Sequence, residues 1–265
     1  MRVKGDGIFS INTSASGGFG NAGISLPETV ADAGGGGDSP PITEELQLYI
    51  NPDADVYSDT GTTLAVDGDS IRQVNDQSGN SNTLEQATAS SQYLYATDAL
   101  GTGNSAFHIL AYADHMDFSN TLTIQGATKS LTFYCVYDKT NTATISYLFG
   151  TTDGNFNRIL EYGNSRIYFQ DTDGDSHFAT ITNAADLAIR AFTLDTSTDT
   201  ITTYVNGALV NSSYKSKTWG DFNFDSFWGA GFIGYVGNVL LYSDLHDATQ
   251  VAEVSDWLNT KYSIY

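Results

Sequence analysis

The C-terminal stretch, residues 231–262, restricts the fold more than any other part of the chain. Phe232 to Tyr242 is strand-forming text in which Ile233, Val236, Val239, Leu240 and Leu241 are apolar, with Gly234 and Gly237 as bend positions. A helix follows. Asp247 is placed to accept an orphan backbone N–H, Gln250 stands three residues on as in a capping box, and Leu245 and Val251 occupy staple positions. Val251, Val254, Leu258 and Tyr262 then fall on one helical face. A final strand and one closing helix, after a chain that otherwise reads as strands, predict a helix within about residues 247–262 and β structure before it.

The upstream text supports that reading. Leu46, Leu48 and Ile50 alternate as a first strand. Leu131, Phe133, Cys135 and Tyr137 alternate on one strand face; Ile145, Tyr147 and Phe149 do so on another. Gly163, Asn164 and Ser165 mark a turn between residues 158–162 and 166–170. Asn206-Gly207 between two β runs is the strongest short hairpin signal, because both residues tolerate positive φ.

The closing segment resembles the last strand and helix of concanavalin A-like, LamG-type jelly-roll domains, where "GxIxEVLIYxxxLS" runs into a helix ending "YLxxKYG". The matching residues are 234–242, Leu245 and 257–262, with Asn238 where the family often has Glu. Asp76, Ser78, Gly79 and Asn80 resemble the family's "VxxWxDxSGNGN" motif, with Asn75 in place of Trp, and residues 204–207 match its "YVNG" hairpin. Those Asp, Ser and Asn residues suit Asx turns, so the motif is read as structural. The resemblance covers about residues 46–265. It implies an all-β, antiparallel two-sheet jelly-roll sandwich with one C-terminal helix.

Residues 1–45 form a separate segment, a glycine-rich extended arm. Gly17, Gly18, Gly20, Gly23 and residues 34–37 alternate with small polar residues and cannot bury enough apolar area to offset ordering entropy. The arm nonetheless carries Arg2, Lys4, Ile8, Phe9, Ile11, Phe19, Ile24 and Leu26 as spaced partner-anchoring positions that a plain Gly/Ser linker lacks. No secretory h-region follows the basic N-terminus.

Charge narrows the partners. Acids outnumber bases 31 to 11, for a net charge of −20, which repels phosphate backbones and argues against nucleic acid. No apolar run is long enough to span a bilayer. Cys135, the single cysteine, lies in an apolar strand and reads as a buried small hydrophobe.

Catalytic signals are weak. The Glu-x-Asp-x-x-Glu strand of related glycosidases has no counterpart, and His108, His115, His177 and His246 are isolated in sequence. The expectation is a non-enzyme. Asp171, Asp173 and Asp175 make a candidate calcium loop, lacking the EF-hand register. Trp219, Asp221 and Asn223 are the candidate glycan-binding set, with Trp219 the ring expected to be exposed, although Phe222 and Phe224 nearby read as core. Two readings follow. The first is a virion structural protein of capsid-decoration or fibre type, suggestive of a bacteriophage. It docks on other virion proteins through the arm and displays the jelly roll, with surface glycan as a further ligand. The alternative is a secreted or cell-surface carbohydrate-binding module, or a lectin-like piece separated from a glycoside-active enzyme. The corresponding locations are a virion surface or the extracellular space.

Overall fold

Strand β8 (Leu131–Lys139) shows why the chain folds as a sandwich: its alternate residues feed two different cores. Phe133, Cys135 and Tyr137 point between the sheets, while Tyr134 and Val136 point to the opposite face. This is a computed structural model describing residues 39–265 apart from 102, 127, 142–144, 151–156, 164, 173, 175, 182–185, 229 and 230.

In chain order the first strands are β1 (Leu46–Ile50), β2 (Val56–Tyr57), β3 (Gln73–Val74), β4 (Leu84–Glu85), β5 (Leu94–Ala96) and β6 (Ala106–Ile109). After β7 (Met116–Ile124) and β8 come β9 (Ile145–Gly150), β10 (Arg158–Tyr162), β11 (Arg166–Gln170) and β12 (Ser176–Thr180). The last are β13 (Ala188–Asp195), β14 (Thr200–Val205), β15 (Ala208–Tyr214), β16 (Phe222–Phe227) and β17 (Gly234–Tyr242), followed by α1 (Ala248–Tyr262). One sheet has the order β15-β14-β13-β8-β17-β6-β5, with β1 also paired to β17. The other has the order β12-β11-β10-β9-β16-β7-β4-β3-β2. The strand pairs are antiparallel, and the protein is an all-β jelly-roll sandwich closed by a C-terminal helix.

The helix packs on one of the two sheets. Asp247 accepts from Thr249 N at 2.8 Å and Gln250 N at 2.9 Å, and Gln250 Oε1 accepts from Asp247 N at 2.9 Å, so the predicted capping box is formed. The buried helix residues Val251, Val254, Leu258 and Tyr262 are the predicted face, and they pack on Tyr134, Val136, Ile189, Leu240 and Tyr242. Burying each large apolar side chain contributes roughly 1.5–3 kcal/mol. Strands β8, β13 and β17 are thus covered on both faces, while the edge strand β15 of the same sheet stays exposed. The outward face of the other sheet is left open along β9–β12, where Tyr162 and Phe178 are 41% and 40% exposed.

The turn motif acts as a clamp on β1. Asp76 Oδ1 accepts from Tyr49 N and Ser78 N, both at 2.9 Å, and Asn80 Nδ2 donates to Leu46 O at 2.7 Å. Asn206 and Gly207 have φ of 51° and 73°, as a tight β14–β15 hairpin requires. Cys135 is buried as expected, and burial pushes its thiol well above the ordinary value.

Two strands depart from the expected alternation. In β1 the register with β17 shifts between Leu46 and Leu48, so Leu46 joins the helix-side core while Leu48 and Ile50 face the space between the sheets. The second is β9. Ile159 pairs with Phe149 but Leu160 pairs with Tyr147, so β9 carries an extra residue at Leu148. The bulge flips the parity: Ile145 and Tyr147 face out and Phe149 turns into the core.

Candidate functional site

The open face of β9–β12 is built in rows by the strand register. Tyr147 pairs with Leu160, Leu160 with Tyr168, and Tyr168 with Phe178, giving a central row across four strands. On one side lie Ile145, Tyr162, Arg166 and Thr180; on the other lie Arg158, Gln170 and Ser176. Period-two alternation sends the intervening Ile159, Ile167, Phe169 and Ala179 into the core, so the outward set is fixed once the core is.

The rings touch one another. Tyr168 and Phe178 lie with centroids 5.1 Å apart, and Tyr162 meets Tyr168 edge-on at 5.9 Å. The Arg166 guanidinium sits 4.7 Å above the Phe178 ring, and that of Arg158 lies 5.5 Å from Tyr147. Arg158 also donates from Nε to Gln170 Oε1 and from an Nη to the Tyr147 hydroxyl at 3.2 Å. Gln170 Nε2 is held by Gly174 O at 2.8 Å. Aromatic faces in the middle and planar polar groups at the margins make a surface that can stack a ring and hydrogen-bond its substituents.

Beneath the platform lies a buried charge pair. Glu161 points inward from β10 and accepts from the Tyr137 hydroxyl at 2.9 Å and Lys139 Nζ at 3.0 Å, with both charged side chains 0% exposed. Burial drives the Tyr137 hydroxyl well above its usual pKa, and the Arg190 guanidinium lies 3.8 Å from its ring. This carboxylate holds the sandwich end together and offers no face to a solvent-borne substrate.

The candidates read from sequence fall in different places. Asp171 is buried, its Oδ2 2.7 Å from Lys217 Nζ and accepting from Gly220 N at 2.8 Å. Asp173 and Asp175 lie outside the described residues, and among the described residues no group of three acidic, histidine or cysteine side chains could hold a metal ion. Trp219 is not the exposed ring that was expected. It is 3% exposed, with Lys217 Nζ 4.7 Å from its ring and Phe222 at 5.8 Å, because Lys217 is drawn inward by the Asp171 carboxylate. Asp221 is exposed. Asn223 stands on the outward face of β16 between buried Phe222 and Phe224, accepting from Thr123 Oγ1 at 2.7 Å. These three do not form one platform.

The histidines also scatter. His246 Nδ1 lies 2.8 Å from the Tyr134 hydroxyl, and burial lowers its pKa to about 4. His115 lies near Gln86 and Asp117, and His108 stacks on Tyr235 at 4.2 Å. The anchoring positions Arg2, Lys4, Ile8, Phe9, Ile11, Phe19, Ile24 and Leu26 lie outside the described residues.

The platform residues were visible in sequence only as a hairpin. The available signal was parity: Arg158, Leu160 and Tyr162 share one side of β10, and Arg166, Tyr168 and Gln170 share one side of β11. Which side meets water depends on the partner sheet, and no local pattern carries that.

No protein-family model matches the chain, and no curated protein sequence matches it. Solved structures do share its fold. The binding domain of Paraclostridial Mosquitocidal Protein 1 superposes with a TM-score of 0.54 at 14% identity, over 80% of this chain and 52% of that one. The binding domain of Botulinum neurotoxin serotype D gives 0.53 at 10% identity, over 81% and 51%. Domain 4 of an extracellular GH43 arabinanase from Geobacillus stearothermophilus, in complex with arabinotriose, gives 0.50 at 16% identity, over 80% and 98%. The chain spans about half the length of the two toxin domains. At these identities the likeness is one of fold, and these neighbours are β-sandwich binding modules and binding domains.

Proposed function

We propose that this protein is a non-catalytic carbohydrate-binding module whose ligand lies across the outward face of β9–β12. The observation that carries the reading is the contiguous, solvent-facing set Tyr162, Tyr168 and Phe178 on a rigid sheet. Sugar C–H faces stack on such rings, and the arginine and amide groups at the margins give hydroxyls their partners. A strand-borne platform is pre-organised, so little side-chain entropy is lost on binding. Support also comes from the fold neighbours, of which the arabinanase domain was solved with a bound arabinotriose.

The test is a glycan panel followed by calorimetry. Wild-type protein should bind at least one oligosaccharide class, and Tyr168→Ala should weaken that binding about tenfold or more without loss of fold. A wild-type protein that binds none, or a Tyr168→Ala variant that binds equally well, overturns the proposal.

Virion attachment through the arm is a second proposal of ours. It rests on the glycine-rich, apolar-dotted sequence of residues 1–45, and it ranks behind glycan binding, which has the exposed rings of β10–β12 behind it as well. Deleting residues 1–40 should leave the folded sandwich and abolish association with a particle. Wild-type occupancy after deletion refutes the attachment role. Under either reading the module works at a surface, extracellular or on a virion exterior.

A further inference from the structure

The charge on the platform is opposite to the charge of the molecule. The whole chain carries 31 acids against 11 bases, yet the outward-facing positions of β9–β12 contribute Arg158 and Arg166 and no carboxylate. Glu161, the acid within these strands, faces the interior and is bound to Lys139 and Tyr137. Arg166 is exposed. Among the described residues its guanidinium meets the Phe178 ring and, at 3.5 Å, the Tyr168 hydroxyl, and no carboxylate lies within ion-pair distance. Stacking on a ring fixes the plane of the guanidinium while leaving N–H groups at its edge to donate.

Arg158 is held by Gln170 and Tyr147 on the far side of the central row. Strand rise and spacing put the two arginine Cα atoms about 14 Å apart, with Leu160 and Tyr168 between them. Such a span suits an oligosaccharide better than a single sugar.

We propose that the platform, as the binding face assigned above, selects a carboxylated oligosaccharide of low charge density, its rings on Tyr162 and Tyr168 and its carboxylate on Arg166. A guanidinium matches a carboxylate through two parallel N–H···O bonds, which a neutral hydroxyl cannot reproduce. The low charge density follows from the rest of the molecule. A net charge of −20 repels a densely charged polyanion such as a sulfated glycan, and only two arginines stand against it.

The inference rests on the platform reading, so the experiment must separate the two. A panel is used in which neutral xylan, galactan and arabinan oligosaccharides are each paired with singly carboxylated and multiply sulfated forms of the same backbone. The expected result is binding of a carboxylated form about tenfold or more tighter than its neutral parent, and Arg166→Gln should remove that ratio by weakening the carboxylated form far more than the neutral parent. Tyr168→Ala should weaken both forms. Equal binding of the carboxylated and neutral forms, a preference for the sulfated form, or an acid preference that Arg166→Gln leaves intact overturns the acidic-ligand inference and leaves the platform standing. Binding to none of the panel, or binding that Tyr168→Ala does not weaken, overturns the platform reading itself and the inference with it.

Discussion

Tyr262, in the last turn of α1, donates its hydroxyl to Asn238 Oδ1 at 2.6 Å and accepts from the Asn238 backbone N at 3.0 Å. This pair ties the helix to the middle of β17, where the pairing with β8 shifts between Val236 and Val239. Gly237 makes the approach possible: a Cβ there would lie 2.7 Å from the Tyr262 hydroxyl oxygen and 3.0 Å from Leu100. The side chain at 238 accepts a hydrogen bond where the LamG-type pattern often has Glu, and a neutral amide does so without burying a charge.

Tyr262→Phe therefore tests the helix attachment. It removes one oxygen and leaves a buried N–H and a buried amide oxygen without their partner. The expected loss is about 3 kcal/mol in urea denaturation, with the native fold kept. A loss below about 1 kcal/mol would show that the helix is held by its apolar face alone.

The Glu161–Lys139 pair tests the base of the platform. Lys139→Met strands a buried carboxylate and should cost about 3–5 kcal/mol, whereas Lys139→Met combined with Glu161→Gln should recover much of that loss. Denaturation of both variants checks this, and equal losses in the two would refute the charge-stranding account.

Surface rings behave differently from core rings. Phe178→Ala and Tyr162→Ala remove side chains that are 40% and 41% exposed and should change stability by less than about 1 kcal/mol. Phe149→Ala, at 0% exposure, should cost about 3–5 kcal/mol. If the platform substitutions were as costly as the core one, the rings would be structural and not displayed.

His246 gives a pH dependence whose sign is determined. Burial lowers its folded pKa to about 4 from an ordinary 6.5, so between those values the unfolded chain binds the proton and the native protein does not. Stability from this group is complete above pH 6.5 and is lost as pH falls toward 4, by roughly 1–3 kcal/mol. His108 and His177 are shifted the same way, by burial first. His246→Gln should therefore flatten the slope between pH 6.5 and 5 only in part, and an unchanged slope would exclude His246 as a source.

Sequence alone determined the elements whose causes are local. Asp247 and Gln250 cap the helix within one turn, Asn206-Gly207 turns the β14–β15 hairpin, and Leu131 to Tyr137 alternates with the pleat of a single strand. Tertiary structure decided what depends on distant partners. The Leu148 bulge reversed the parity of Phe149, and the Asp171 carboxylate drew Lys217 inward beside Trp219, which ended in the core. The same holds for the platform. Arg166, Tyr168 and Phe178 alternate with buried neighbours as residues of any two-faced strand do. They lie on an outer face while α1 packs on β8, β13 and β17 of the other sheet, and burial is a property of what packs on a face, not of the face itself.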